Sequence, residues 1–342
     1  MFAASAATLF TVVLATAAPL PEMIVSPAWL NPRLSASGER LAVIEASWTP
    51  SHVAADYDAG HIPGAIHLNT DDLENGYPRW RLRPVAELHA VIGKLGIGPE
   101  TTVVVYSRQT IAAARVWWVL HYAGVRDVRL LNGGYAAWKR AGYRGETVSN
   151  TPVPVQFQAG VRGEALASTA YVRDRLGQRA AELADVRSRE EFLGDKSGYE
   201  YLDRKGRVPG ALHAENADDA AEVYQNRDGT LRSVAEIRRL WQRHGLLNGG
   251  EVIFYCGSGW RSSLAYLYAV SMGLARVRNY SDGWSGWSTV YEAVPGHPGS
   301  TPGWRQTATA NPVESGPAAT RQQVRPDSPA GSRRPAQAPQ VR

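Results

Sequence analysis

Cysteine is nearly absent. Cys256 is the only one in 342 residues, which excludes an internal disulfide and a zinc site built from clustered cysteines. Long apolar runs are missing too. The stretch Leu9–Leu14 near the N-terminus is too short for a membrane-spanning helix. There is no G-x-x-x-x-G-K-[ST] phosphate loop. The net charge of +5 is unevenly placed. Residues 301–342 hold six arginines against Glu314 and Asp327, so the remainder is close to neutral and nucleic-acid binding is not expected. A content of 44% hydrophobic and 20% charged residues is ordinary for a soluble globular protein of about two domains. Eleven tryptophans are accounted for by buried aromatic packing.

What is present is an internal repeat. Residues Val103–Tyr143 and Val252–Tyr291 run in parallel: Tyr106 lies 32 positions before Trp138, as Tyr255 does before Trp287, and Ser107 lies 27 before Gly134, as Cys256 does before Gly283. Upstream, "GHIPGAIHL" from Gly60 matches "GRVPGALHA" from Gly206, and each is preceded by an apolar run ending in an acid, Glu45 and Asp185. Each copy alternates strand and helix signals. The unbroken apolar runs Val103–Tyr106 and Val252–Tyr255 suit strands buried on both faces of a parallel sheet. The reading is two α/β domains of about 120–130 residues, over 22–146 and 169–292, joined by a Pro-rich linker at 147–168. The Pro/Ser/Arg-rich segment 295–342 is expected to be a disordered, solvated tail. At the other end, "MFAASAATLFTVVLATAAPLPE" offers small residues before Pro19. Residues 1–18 are expected to be a signal peptide, with a periplasmic or secreted location, cytoplasmic otherwise, and no stable membrane insertion after cleavage.

The chemistry concentrates at "FYCGSGWRSS", Phe254–Ser263. Cys256 follows an apolar strand and precedes a helical stretch, where parallel α/β sheets place ligands. Gly257 and Gly259 free the backbone to turn successive N–H groups inward, and such a nest at a helix N-terminus holds an anion and favours the nucleophilic thiolate. Arg261 adds a fixed positive charge. The spacing is C-x4-R, one residue shorter than the C-x5-R of Cys-dependent phosphatases, so the cradle suits a persulfide sulfur better than a phosphate. No histidine close in sequence offers a papain-like base.

The order "DVRS", "GRVPGALH", "VIFYCGSGWRSS", "RNYSDGWSGW" resembles a rhodanese domain, and residues 24–292 resemble a tandem-rhodanese sulfurtransferase. With "SGYEYLDRKG" at Ser197–Gly206 added, the pattern is most similar to exported multi-domain rhodaneses carrying C-G-[ST]-G-W-R. The resemblance implies two tandem domains, each a mainly parallel five-stranded sheet flanked by helices. It implies Cys256 as the catalytic nucleophile in the second domain. The first domain, with Ser107 at the cysteine position, is expected to be inactive and to pack against the cleft. Thiosulfate would load Cys256 with a persulfide, and a thiophilic acceptor, cyanide or a thiol, would take the sulfur, with no cofactor or metal. The donor and persulfide would be held by Arg187, Gly257, Ser258, Gly259, Trp260 and Arg261. Asp185 would be supporting, orienting Arg187 or the loop; Ser258 and Ser262 could hydrogen-bond the persulfide or cap the helix, and Ser262 is read as a cap. Arg207, standing where the first copy has His61, is expected to be a solvated charge. Trp284 and Trp287 are expected in the core, and His213 and His244 in structural roles. "CGSG" also fits 3-mercaptopyruvate as donor. A persulfide carrier or binding module with little turnover of small donors, including one with a protein acceptor, stays open.

Overall fold

Buried, β-branched strands form the centre of each half. The computed structural model describes residues 23–48, 54–178, 181–214, 222–294 and 303–317. The leader expected at 1–18 and the end of the tail lie outside them. In the first half the elements are β1 (Ile24–Val25), α1 (Pro27–Leu30), β2 (Leu41–Ser47), α2 (Ala55–Asp58), β3 (Ile66–Asn69), α3 (Val85–Lys94), β4 (Thr102–Tyr106), α4 (Thr110–Tyr122), β5 (Asp127–Leu131) and α5 (Gly134–Arg140). In the second they are α6 (Thr169–Asp174), β6 (Ala181–Asp185), α7 (Arg189–Leu193), β7 (Leu212–His213), α8 (Val234–Arg243), β8 (Glu251–Tyr255), α9 (Trp260–Ser271), β9 (Val277–Asn279), α10 (Gly283–Ser288), β10 (Thr289–Val294) and β11 (Gly303–Ala308).

The first sheet has the order β1-β5-β4-β2-β3 and is parallel throughout. The second has the order β7-β6-β8-β9, also parallel. Four strands stand here where five were expected. The position matching β1 shrinks to a single bridge, Leu166 to Asn279, just before the cap Ser168 of α6. Every residue of β8 is buried, Val252–Tyr255 as their apolar character dictates and Glu251 against Tyr171 and Arg278.

The halves dock through α4 and α9. Trp117, Trp118 and His121 on α4 meet Tyr266 on α9, and one apolar core runs from Val103 through this seam to Phe254. Leu231 N–H also donates to Asn132 Oδ1 at 2.7 Å, and Gln225 Nε2 to Thr110 Oγ1 at 2.6 Å. The carboxyl ends of both central strands therefore face a shared cleft.

Part of the expected tail is ordered, and its role shows in the repeat. In the first copy Trp138 Nε1 donates to Arg144 O at 2.8 Å, His61 and Glu146 exchange backbone bonds, and Glu146 Oε1 accepts Gly64 N–H at 2.7 Å. In the second, Trp287 Nε1 donates to Pro312 O at 2.8 Å, Arg207 and Glu314 exchange backbone bonds, and Glu314 Oε2 accepts Gly210 N–H at 2.8 Å. The antiparallel β10–β11 hairpin is inserted between these partners. Residues 303–317 thus complete the second copy. Arg207 is accordingly fully buried and not solvated: it ion-pairs with Glu314, donates to Phe192 O at 3.0 Å and stacks on the Phe192 ring.

Candidate functional site

The loop after β8 is shaped from outside by α10. Trp284 N–H donates to Cys256 O at 2.7 Å and Ser285 N–H to Gly257 O at 2.9 Å. With those carbonyls turned toward α10, the loop's N–H groups are free to face the thiol. Gly259 N–H donates to Cys256 Sγ at 3.2 Å. Two glycines make this possible. Gly259 has φ +90° and begins α9, placing that helix's positive end at the sulfur. Gly283 has φ +54°, and a Cβ there would fall 2.5 Å from Cys256 O. Gly257 is required by proximity: a Cβ would overlap the Tyr199 ring at 2.1 Å.

Cys256 is 1% exposed. Ser262 does not cap α9, because Gly259 holds that position; its Oγ lies 3.7 Å from Cys256 Sγ and donates to Asn279 Oδ1 at 2.7 Å. Asn279, fully buried at the end of β9, donates from Nδ2 to Ser263 Oγ at 3.0 Å. Arg261 is buried and makes a two-pronged ion pair with Glu191, Nη1–Oε2 2.8 Å and Nη2–Oε1 2.9 Å, and also donates to the Tyr199 hydroxyl. Burial alone would lower the guanidinium's pKa, but Tyr199 and Glu191 raise it well above the ordinary range, so Arg261 stays charged. Burial of the Tyr199 hydroxyl pushes that phenol well above its usual value, despite the opposing pull of Arg261. The same Glu191 carboxylate caps α7 by accepting Ser188 N–H at 2.9 Å.

Arg187 is not brought to the cleft. It is fully buried, its Nε and Nη2 on Asp185 at 2.9 and 2.6 Å, with Nη2 also on Gly206 O at 2.8 Å and the guanidinium over Trp284 at 5.0 Å. Burial would raise the Asp185 carboxyl, but Arg187 outweighs it and holds the group below its usual range. The donor-facing position expected of Arg187 is corrected by this geometry. Asp185, at the end of β6, pairs with the arginine two residues on and with the Tyr255 hydroxyl, and the guanidinium lies beneath Trp284 of α10. His213 accepts its place behind them, its Nε2 2.8 Å from Arg187 O, and Trp284 and Trp287 are core residues.

The cleft between the domains is a cavity of about 620 Å³. Ser258, Trp260 and Arg261 form its floor, Tyr199 and Tyr201 one wall, and Trp48, Trp80, Arg108 and Thr110 of the first domain the other. Trp80 meets Tyr201 at 6.3 Å between ring centroids and Trp48 at 5.6 Å. The first domain's own loop is open by comparison. Its helix begins after Gln109 in extended conformation where the second copy has left-handed Gly259, and Ser107 Oγ accepts the N–H of Gln109 at 3.1 Å. Among the described residues, no three His, Cys, Asp or Glu side chains gather as a metal site would need. No helix among them is long and apolar enough to cross a membrane.

Glu191, Tyr199, Asn279, Glu74 and Arg115 escaped the sequence reading. Glu191 alone had a legible signal, the S-x-x-E capping spacing from Ser188; Tyr199 sat inside the "GYEYL" motif without a role.

Comparison with known proteins agrees with this architecture. The rhodanese-like domain family matches residues 27–141 and 168–289. The thiosulfate sulfurtransferase YnjE of Escherichia coli is 37% identical over 281 residues, covering 78% of this chain but only 63% of that protein. Its crystal structure superposes with a TM-score of 0.73, over 86% of this chain and 68% of that one. A thiosulfate sulfurtransferase of Pseudomonas aeruginosa is 32% identical over 78% of this chain and 93% of its own length. An anaerobic ergothioneine biosynthesis enzyme of Chlorobium limicola, solved with trimethyl histidine, superposes with a TM-score of 0.75 at 32% identity, over 86% of this chain and 70% of that one. With the family matched in both halves and relatives above 30% identity covered over most of their length, the chain belongs to the rhodanese-like family as a tandem of two such domains.

Proposed function

We propose that this chain is a sulfurtransferase that moves a sulfane sulfur from thiosulfate to a thiophilic acceptor through a persulfide on Cys256. The observation that carries the reading is the N–H of Gly259 aimed at Sγ at 3.2 Å from a loop whose carbonyls are tied back by α10. The thiolate attacks the outer sulfur of thiosulfate. A new S–S bond forms, the old one breaks, and its electron pair leaves with sulfite. The acceptor then attacks the outer sulfur of the persulfide, and the thiolate is released. In both steps negative charge sits on a sulfur inside the nest, where fixed N–H dipoles stabilise it without reorganising. Ser258 and Trp260 stand where they would contact the donor, and Ser262 where it would steady Sγ.

Intact mass spectrometry tests this. Addition of one sulfur atom on exposure to thiosulfate, absent in Cys256→Ser, with thiocyanate released on adding cyanide, supports it. Loading only by 3-mercaptopyruvate would reassign the donor. Loading by neither would leave a carrier or binding module. Export is proposed from residues 1–18: a mature N-terminus near Pro19 in the natively produced protein supports it, and an intact Met1 refutes it.

The cavity favours a second reading of the acceptor. Its 620 Å³ is the share of about twenty liquid waters, far more than cyanide needs, and its walls hold Trp48, Trp80, Tyr199 and Tyr201 with Arg108 and Arg261 beside them. Such walls attract a quaternary ammonium or a flat heterocycle, as borne by the trimethyl histidine of the Chlorobium enzyme. Incubating the persulfidated protein with trimethyl histidine would yield the sulfur-bearing product by mass spectrometry; persistence of the persulfide would exclude that acceptor.

A further inference from the structure

We propose that Glu74 and Arg115 of the first domain are positioning residues for the Cys256 loop of the second. The inference rests on the sulfurtransferase reading of that loop. Glu74 is fully buried and Arg115 is 1% exposed. Arg115 Nε donates to Glu74 Oε1 at 2.6 Å, and Nη2 is on the same oxygen. The other carboxylate oxygen accepts the indole N–H of Trp260 at 3.0 Å. Arg115 Nη2 reaches across the domain boundary to Ser281 Oγ at 2.9 Å. Nη1 has no hydrogen-bond acceptor among the described residues and lies against Gly259, where a Cβ would fall 2.7 Å from it.

The pair therefore holds the loop at both ends. Trp260 is the first residue of α9, next to the glycine that donates to Sγ. Ser281 lies just before the α10 residues that hold the Cys256 and Gly257 carbonyls. A buried ion pair is poor at stabilising a fold, because desolvation offsets the attraction and apolar replacements are often as stable. Burial indeed raises the Glu74 carboxyl, against the pull of Arg115 and Trp260. What the charges supply that apolar groups would not is direction: two hydrogen bonds aimed at fixed points, the Trp260 indole and the Ser281 hydroxyl. Arg115 also brings a positive charge to the base of the nest. Having no thiol of its own, the first domain contributes to the chemistry through this contact.

The experiment compares Glu74→Leu/Arg115→Met with the wild type in thermal melting, rate of Cys256 persulfide formation from thiosulfate, and KM. The double variant removes both charges together, so no uncompensated ion remains. The expected result is a melting temperature near wild type, persulfide formation slowed about tenfold or more, and an essentially unchanged KM. Recovery of the wild-type rate along with stability would overturn the proposal, since a merely structural pair requires no more than stability. Should that variant not fold, Ser281→Ala decides: slowing of about threefold supports the proposal, and a wild-type rate refutes it. If the wild type itself takes no sulfur, the sulfurtransferase reading fails first. The positioning claim is then read from Cys256 alkylation by iodoacetamide in the same variants: an altered rate supports it and an unaltered one overturns it.

Discussion

Gly283 and Gly134 are the same residue of the repeat, and substituting alanine at each separates fold from chemistry. Gly283 has φ +54° and Gly134 φ +53°; a Cβ would fall 2.5 Å from Cys256 O in one and 2.5 Å from Ser107 O in the other. Left-handed backbone costs a non-glycine residue about 1–2 kcal/mol, and forcing a methyl against a fixed backbone oxygen adds about 1–3 kcal/mol. Each variant should thus lose about 2–5 kcal/mol, or about 5–15 °C in melting temperature for domains of this size. The clash at Gly283 is the tighter, since Gly257 O is also only 2.7 Å away. The chemistry should diverge. Gly283→Ala moves the carbonyl that α10 holds and shifts Sγ against the Gly259 N–H, so persulfide formation, followed by intact mass after mixing with thiosulfate, should slow about a hundredfold. Gly134→Ala perturbs a loop with no thiol and should leave the rate per folded molecule unchanged. Equal slowing in both would refute the claim that the α10 contact sets the geometry at sulfur. Wild-type stability in both would refute the reading of the two glycines.

Three further outcomes are expected. Arg187→Met strands the Asp185 carboxylate in the core and should cost about 3–5 kcal/mol in urea unfolding, with KM for thiosulfate unchanged; normal stability with a raised KM would restore Arg187 as a donor ligand. Glu314→Ala removes the carboxylate from buried Arg207 and from Gly210 N–H, and should lower stability by about 2–4 kcal/mol, whereas a free tail would tolerate the change. His121, at the α4–α9 seam, has its pKa lowered from 6.5 to about 4 by burial and then by Arg162. Because the folded value is the depressed one, its contribution is complete above pH 6.5 and is lost as pH falls toward 4, by up to roughly 3 kcal/mol. His121→Phe should flatten that part of the stability profile, and an unaltered profile would assign the loss elsewhere.

How much of this was legible follows from where each signal lives. The sheets were legible because Val103–Tyr106 and Val252–Tyr255 are unbroken apolar runs, and the copies could be aligned on Tyr, Gly and Trp at fixed intervals. The loop was legible because a lone cysteine between a strand and a helix, followed by glycines, has few other physical readings. Arg207 was misread because its partner Glu314 is 107 residues away, in a stretch whose composition reads as solvated. The inserted hairpin displaced that stretch from its expected distance: Trp138 finds its carbonyl 6 residues on, Trp287 only after 25. Arg187 was misread for the opposite reason. Its partner, Asp185, is two residues away, and nothing in a sequence says which side of a sheet edge an arginine will fold toward. Glu74 and Arg115 had no local signal, since their meaning arises only when α4 packs on α9.

The two copies differ less in scaffold than in one backbone conformation. Both hang the loop after the central strand from a left-handed glycine 27 residues on, and both pin the preceding turn by a tyrosine hydroxyl, Tyr106 to Ile62 N and Tyr255 to Val208 N, at 3.1 and 3.2 Å. The second copy alone enters its helix through a left-handed residue, Gly259, so that a helix N-terminus closes on the side chain at the end of the strand. Gln109 enters the first copy's helix extended, and no nest forms there. A cysteine placed at Ser107 would therefore sit on the right strand with the wrong loop. By this argument Ser107→Cys in a Cys256→Ser background should take up no sulfur from thiosulfate, while the α4 helix that follows it still serves the reaction, through Arg115, from across the interface.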